Sequence, residues 1–119
     1  MPRDSKIYLG DMLAAAERIR SYTVGLTYQD FLGDTRTVDA VVRNLEILGE
    51  AAKQVPESLR SRHPNIEWRK LTGLRDILIH GYFGIDLDII WDIVGAKLPP
   101  LTEHLSTLIQ QHEIEVPPG

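Results

Sequence analysis

Between Leu74 and Tyr82 the sequence reads LRDILIHGY, which gathers Arg75, Asp76, His80 and Tyr82 into one short run. Arg75 carries a planar fork of donors that suits a phosphate. His80 is the side-chain type that exchanges protons near neutrality. Asp76 and His80 are spaced i, i+4, so on a helix that reaches His80 they share a face, and the carboxylate can fix the imidazole tautomer. Cleavage of an RNA phosphodiester asks for little more. A base takes the 2′-OH proton, an acid protonates the leaving 5′ oxygen, and a cation stabilises the charge on phosphorus. Histidine serves the first two roles, each worth roughly 10²–10⁴-fold, and arginine serves the third. RNA supplies its own nucleophile, so the chemistry demands no metal and no cofactor.

Geometry sets a condition on that chemistry. On an ideal helix, positions 75 and 80 lie about 140° apart around the axis. Both residues can address one phosphate only if the helix bends near Gly81, or if facing copies of the chain meet across a dimer. The run His80-Gly81-Tyr82-Phe83-Gly84 contains glycines at 81 and 84 and is expected to leave regular helix. Each residue also has a plainer structural role: His80 as a helix-end histidine satisfied by Asp76, Arg75 in a surface ion pair, Tyr82 as an aromatic covering the core. On chemistry alone both readings stand.

The elements that must position these residues are helical. Leu9, Met12, Leu13, Ala16 and Ile19 follow the i, i+3, i+4, i+7 rule, with Asp4 or Ser5 as N-cap. Gly25 interrupts this helix, and Tyr28, Phe31 and Leu32 form a packed turn. A second helix starts at a cap on Asp34 or Thr35 and is limited by Pro56. Its stripe runs through Val38, Val41, Val42, Leu45, Leu48, Ala52 and Val55. Arg43, Glu46 and Glu50 fall on the other side, with Ala40, Ile47 and Ala51 beside them. That face is either a solvated charge cluster or a candidate cleft or interface.

Pro56 and Pro64 bracket a short turn. A third helix is expected from a cap at Asn65, spaced by Trp68, Leu71, Leu74 and Leu78. Asp86 caps a fourth, with Ile85 stapled onto Ile90, and Pro99-Pro100 breaks or sharply kinks the chain before a last helix bearing Leu101, Leu105, Leu108 and Ile109. The expectation is an all-α, up-and-down bundle of four to five helices in a single domain, residues 1–119, with 113–119 a frayed tail.

Composition narrows the class. The chain has 119 residues, 43% hydrophobic and 25% charged, as in an ordinary globular domain. It has no cysteine, which rules out disulfides and thiolate metal sites and fits a cytoplasmic setting. No apolar run has the roughly 20 residues of a membrane span, and the N-terminus reads without a signal peptide. His63, His80, His104 and His112 show no metal-binding spacing, and Asp86, Asp88 and Asp92 are more simply read as acids opening a helix. The net charge of −4 and pI near 5.5 exclude nucleic-acid binding through a global basic field. Any RNA contact must rest on positive potential confined to a cleft.

The run RDILIHGYFGIDLDIIWDIV, from Arg75 to Val94, resembles the HepT-like group of HEPN domains, whose motif is Arg, four residues, His, one residue, Tyr. Arg75, His80 and Tyr82 match it. The run AVVRNLEILGEAAKQVP, from Ala40 to Pro56, is similar to the same group, and the resemblance spans almost the whole chain. It implies a metal-independent endoribonuclease toxin of a type VII-like toxin–antitoxin system, working as a homodimer with paired Arg and His in a shared cleft. Arg75 would bind the scissile phosphate, His80 would be the acid/base, and Asp76 would support them where such domains often carry Asn. Tyr82 would be the tyrosine adenylylated by an MntA-like nucleotidyltransferase antitoxin. The alternative is a non-catalytic helical dimerisation or accessory subunit of a nucleotidyltransferase.

Overall fold

The computed structural model describes residues 4–82 and 86–115, with side chains described for 4–78 and 86–111. Every described element is helical: α1 (Ser5–Thr23), α2 (Tyr28–Leu32), α3 (Thr35–Gln54), α4 (Glu57–Arg60), α5 (Trp68–Thr72), α6 (Leu74–Tyr82), α7 (Leu87–Asp92), a π-helical turn (Ile93–Lys97) and α8 (Leu98–Glu115). The all-α bundle is as expected. It is cut into more segments than the four to five helices anticipated, because stretches read as turns close into short helices of their own.

Three long helices make the frame. The aliphatic stripes of α1, α3 and α8 meet in one buried cluster that includes Leu9, Met12, Ile19, Leu45, Leu48 and Leu105, all with no exposed surface. Apolar burial of this kind supplies most of the stability of a domain. Side chains also tie α1 to its neighbours. Arg18 Nε donates to Asn44 Oδ1 at 2.7 Å, and the buried Asn44 returns its amide to the Ala40 carbonyl at 2.9 Å. Arg20 Nη1 donates to Thr102 Oγ1 at 3.0 Å on α8. Buried polar groups are tolerated when paired in this way.

The helix starts follow the expected caps. Asp4 accepts from the Lys6 amide, Asp34 from Thr37 and Asp86 from Asp88. Gly25, at φ 78°, turns the chain after α1 in the left-handed conformation that glycine adopts without strain. The packed turn at Tyr28–Leu32 is a helix because Thr27 and Asp30 form a reciprocal capping box.

Three expectations are corrected. The first part of the glycine-bearing run, His80-Gly81-Tyr82, is still helix, since α6 continues through Tyr82, while Phe83 and Gly84 lie outside the described residues. A glycine inside a helix costs only about 1 kcal/mol, and the burial of Leu74 and Leu78 on the core side of α6 holds that helix in place. The third helix is not one element capped by Asn65. It starts after Glu67, ends at Gly73 and resumes as α6. Pro99-Pro100 does not break the chain: both prolines sit in the first turn of α8, which follows the π turn without a gap, and helix continues through them to Glu115. The proposed Ile85 staple lies outside the described residues, as do residues 116–119 of the expected frayed tail. The structure carries helix through Glu115.

Candidate functional site

Arg75 lies in the first turn of α6, directly over α3. The contact is close because Gly49 of α3 has no side chain: a Cβ there would come within 3.0 Å of the Leu71 carbonyl oxygen, 3.4 Å of Leu74 Cβ and 4.0 Å of the Arg75 amide nitrogen. The next residue on α3, Glu50, accepts a hydrogen bond from Arg75 Nη1 at 3.4 Å. The same carboxylate oxygen is 3.7 Å from Lys53 Nζ. Both side chains of the Arg75–Glu50 pair are about half exposed, at 57% and 49%. Such a pair contributes at most about 1 kcal/mol, so its effect is on geometry rather than on stability.

Asp76 and Ile77 are exposed beside Arg75. His80 and Tyr82 occupy the last turns of the same helix, and their side chains lie outside the described residues, as does the proposed Asp76–His80 contact. The backbone still decides one point. With α6 helical across both positions, residues 75 and 80 are separated by about 7.5 Å along the axis and about 140° around it. Helix continues through Gly81 to Tyr82, so among the described residues no bend brings the two positions onto one face.

The other candidate residues come together on α3. Exposed Arg43, half-buried Glu46 and exposed Glu50 line one open groove of about 330 Å³ between α1 and α3, faced by Tyr8 and Asp11. This groove is mainly acidic and adjoins Arg75 through Glu50. A second, apolar groove of about 390 Å³ runs along α6 on another side, lined by Leu71, Leu74, Ile77, Ile89, Ile93 and Leu101. Ile77 and Ile89 at its edge are 45% and 48% exposed. Its polar margin is Glu67, which accepts from Lys70 at 2.7 Å and lies 3.7 Å from Lys97. The hydrogen bond from Lys70, more than the nearby charges, holds the Glu67 carboxyl below its ordinary pKa.

Beyond α6 the chain is fastened again at α7. Trp91 packs on Phe31, with ring centroids 5.0 Å apart, and on Tyr28 at 6.1 Å. The Tyr28 hydroxyl donates to Asp88 Oδ1. That hydrogen bond, helped by desolvation and by the charges of Asp88 and Asp86, pushes the Tyr28 phenol up to about 12. The helix bearing Arg75 and the helix that follows are therefore each pinned to the bundle by a residue far away in sequence.

Sequence reasoning placed Glu50 on a candidate face but did not pair it with Arg75. The available signal was Gly49, a glycine inside a strong helix on the core side, which marks a close backbone approach.

The model of the family described as "Ribonuclease HepT-like" matches residues 12–108 of the chain. The chain belongs to the ribonuclease HepT-like family. The match spans α3, the apolar groove and all of α6, so Arg43, Glu46, Glu50, Arg75, Asp76, His80 and Tyr82 lie within the HepT-like region. A protein of Thermococcus cleftensis, named a probable ribonuclease HepT, is 44% identical over 101 residues, covering 85% of this chain and 92% of the relative. A Methanocaldococcus jannaschii protein with a provisional RNase name is 40% identical over 97% of this chain and 96% of its own length. A Caldanaerobacter subterraneus protein, also provisionally named an RNase, is 35% identical over 89% of this chain and 95% of its own. No solved structure matches. Among the described residues, no helix is long and apolar enough to cross a membrane.

Proposed function

We propose that this HepT-like chain is a metal-independent endoribonuclease, acting in the cytoplasm as a pair of copies, whose activity is held in check by adenylylation of Tyr82. The observation that carries the reading is the unbroken helix α6, which presents exposed Arg75 and carries His80 and Tyr82 on the same rigid element. The RNase names of relatives covering nearly the whole chain support the same reaction class.

In this reaction the imidazole of His80 removes the 2′-OH proton of the ribose. The 2′ oxygen attacks phosphorus, the P–O5′ bond breaks, and the leaving 5′ oxygen takes a proton from imidazolium, which returns histidine to its neutral form. The products are a 2′,3′-cyclic phosphate and a 5′-hydroxyl. Arg75 binds the non-bridging oxygens as negative charge grows on them, and Asp76 supports the imidazole. Because positions 75 and 80 diverge on a straight helix, the arginine and histidine meeting at one phosphate come from facing copies. The exposed apolar surface at Ile77 and Ile89, on another side of α6 from Arg75, is the kind of surface a second copy covers. Pairing also answers the net charge of −4, since two arginines and two histidines concentrate positive potential in one cleft while the outer surface stays acidic.

Tyr82 follows His80 by two positions. An adenylyl group transferred there by an MntA-like nucleotidyltransferase would set bulk and negative charge beside the imidazole and keep RNA out. The chain would then be the toxin of a toxin–antitoxin pair.

The test is purified protein on mixed-sequence RNA with EDTA present. Cleavage leaving 2′,3′-cyclic phosphate ends is expected. Protein that leaves RNA intact, yet co-purifies with a nucleotidyltransferase, would instead be an accessory subunit, and cleavage that needs a metal would overturn the mechanism.

A further inference from the structure

We infer that Gly49 and Glu50 of α3 form a seat for Arg75, with Glu50 a positioning residue that aims the guanidinium at the scissile phosphate. The inference rests on the reading of Arg75 as the phosphate-binding cation and adds what holds that cation in place.

The seat has two parts. The bare Cα of Gly49 lets α3 pass directly beneath the junction of α5 and α6, within van der Waals reach of Leu71, Leu74 and the Arg75 amide. This fixes where the Arg75 side chain leaves the backbone. Glu50 then accepts from one terminal nitrogen, Nη1, at 3.4 Å. Among the described residues it is the only ion-pair partner of Arg75. An arginine has five N–H donors, so one bond to a carboxylate leaves the Nε and Nη2 edge free to grip a phosphate through two oxygens. A long exposed side chain held at its tip also loses less conformational freedom when the substrate arrives.

The placement has an electrostatic side. A carboxylate next to a phosphate site repels RNA, and Lys53, 3.7 Å from the same Glu50 oxygen, offsets that charge. Glu50, Lys53 and Arg75 together keep one net positive charge. If Glu50 were only a bystander, its removal would tighten RNA binding and leave turnover alone. If it is a seat, its removal lets the guanidinium swing and lowers turnover instead.

The experiment compares Glu50→Ala and Glu50→Gln with the wild-type protein on a fluorogenic mixed-sequence single-stranded RNA. Glu50→Ala should lower kcat by about ten- to a hundredfold with KM nearly constant. Glu50→Gln, whose amide oxygen accepts the same bond, should recover most of that loss. Glu57→Ala, which removes an equal charge at an exposed carboxylate paired with half-buried Arg60, should leave kcat unchanged. In parallel, the {¹H}–¹⁵N nuclear Overhauser effect of Arg75 Nε should fall in Glu50→Ala, reporting the freed side chain without reference to catalysis. An unchanged kcat, a lower KM at unchanged kcat, or an unchanged Arg75 Nε signal overturns the seat. If Glu50→Ala does not fold, Glu50→Gln and the wild-type Nε signal decide: a wild-type signal as mobile as an unrestrained arginine overturns it. If Arg75→Ala still cleaves RNA, the ribonuclease reading of Arg75 fails, and the Nε measurement still reports whether Glu50 holds it.

Discussion

Phe31 and Trp91 stack with ring centroids 5.0 Å apart and planes inclined by 32°, joining the short helix α2 to α7, the first described helix after Tyr82. Phe31 has no exposed surface. Truncating a buried phenylalanine loses its transfer free energy and leaves a cavity, so Phe31→Ala should cost about 3–5 kcal/mol. Urea unfolding followed by circular dichroism measures this. A change under about 1 kcal/mol would mean that the site collapses freely and that the stack is not what fastens α7.

Removing either proposed catalytic group should separate chemistry from folding. His80→Ala and Arg75→Ala are each expected to lower RNA cleavage by about 10²–10³-fold or more. Growth inhibition on expression should be lost with helical content and assembly intact. Full toxicity in His80→Ala would count decisively against the assignment.

Tyr82→Phe tests the control step alone. On the proposed reading the variant should remain folded and stay active when co-expressed with an MntA-like nucleotidyltransferase, and intact-mass spectrometry should find no adenylyl addition. AMP still attached to the variant would move the modification to another residue.

Tyr28 gives a pH prediction that does not involve catalysis. Its phenol rises from 10.0 to about 12 in the folded chain because its hydroxyl donates to Asp88. A raised value means that the fold favours the protonated form. The stabilisation is therefore complete below pH 10 and is lost as pH climbs from 10 towards 12. Absorbance at 295 nm should show a late tyrosine ionisation, and Tyr28→Phe should remove that late step. Uniform ionisation near 10 in the wild-type protein would contradict the Tyr28–Asp88 contact.

What could be read from the sequence was whatever is written locally. Asp4, Asp34 and Asp86 cap the helices they were expected to cap, because a capping bond spans only two or three residues. The α3 stripe through Val41, Leu45, Leu48 and Ala52 is buried as its period requires. Five-residue α2 is too short for periodicity to reveal, although its Thr27-x-x-Asp30 box is plain once the helix is known. Gly73 divides α5 from α6 where an apolar spacing continues across it, so the pattern gave no warning. The Arg75–Glu50 pair spans 25 residues of sequence, and no helical period encodes which faces of two helices will meet.

The π turn at Ile93–Lys97 has a further consequence for how the chain opens. In it the Leu98 amide reaches back to the Ile93 carbonyl, one residue farther than in an α-helix. Directly afterwards, Pro99 and Pro100 have no amide hydrogen to give to carbonyls one turn behind. The hydrogen-bond ladder is thus thinnest where α7 passes into α8, and local opening is expected to divide at this seam. Amide exchange should be slowest beyond Leu101, where the ladder is whole and packed on α1. It should quicken together across residues 87–92, so that α7 can lift from the bundle while α8 stays closed.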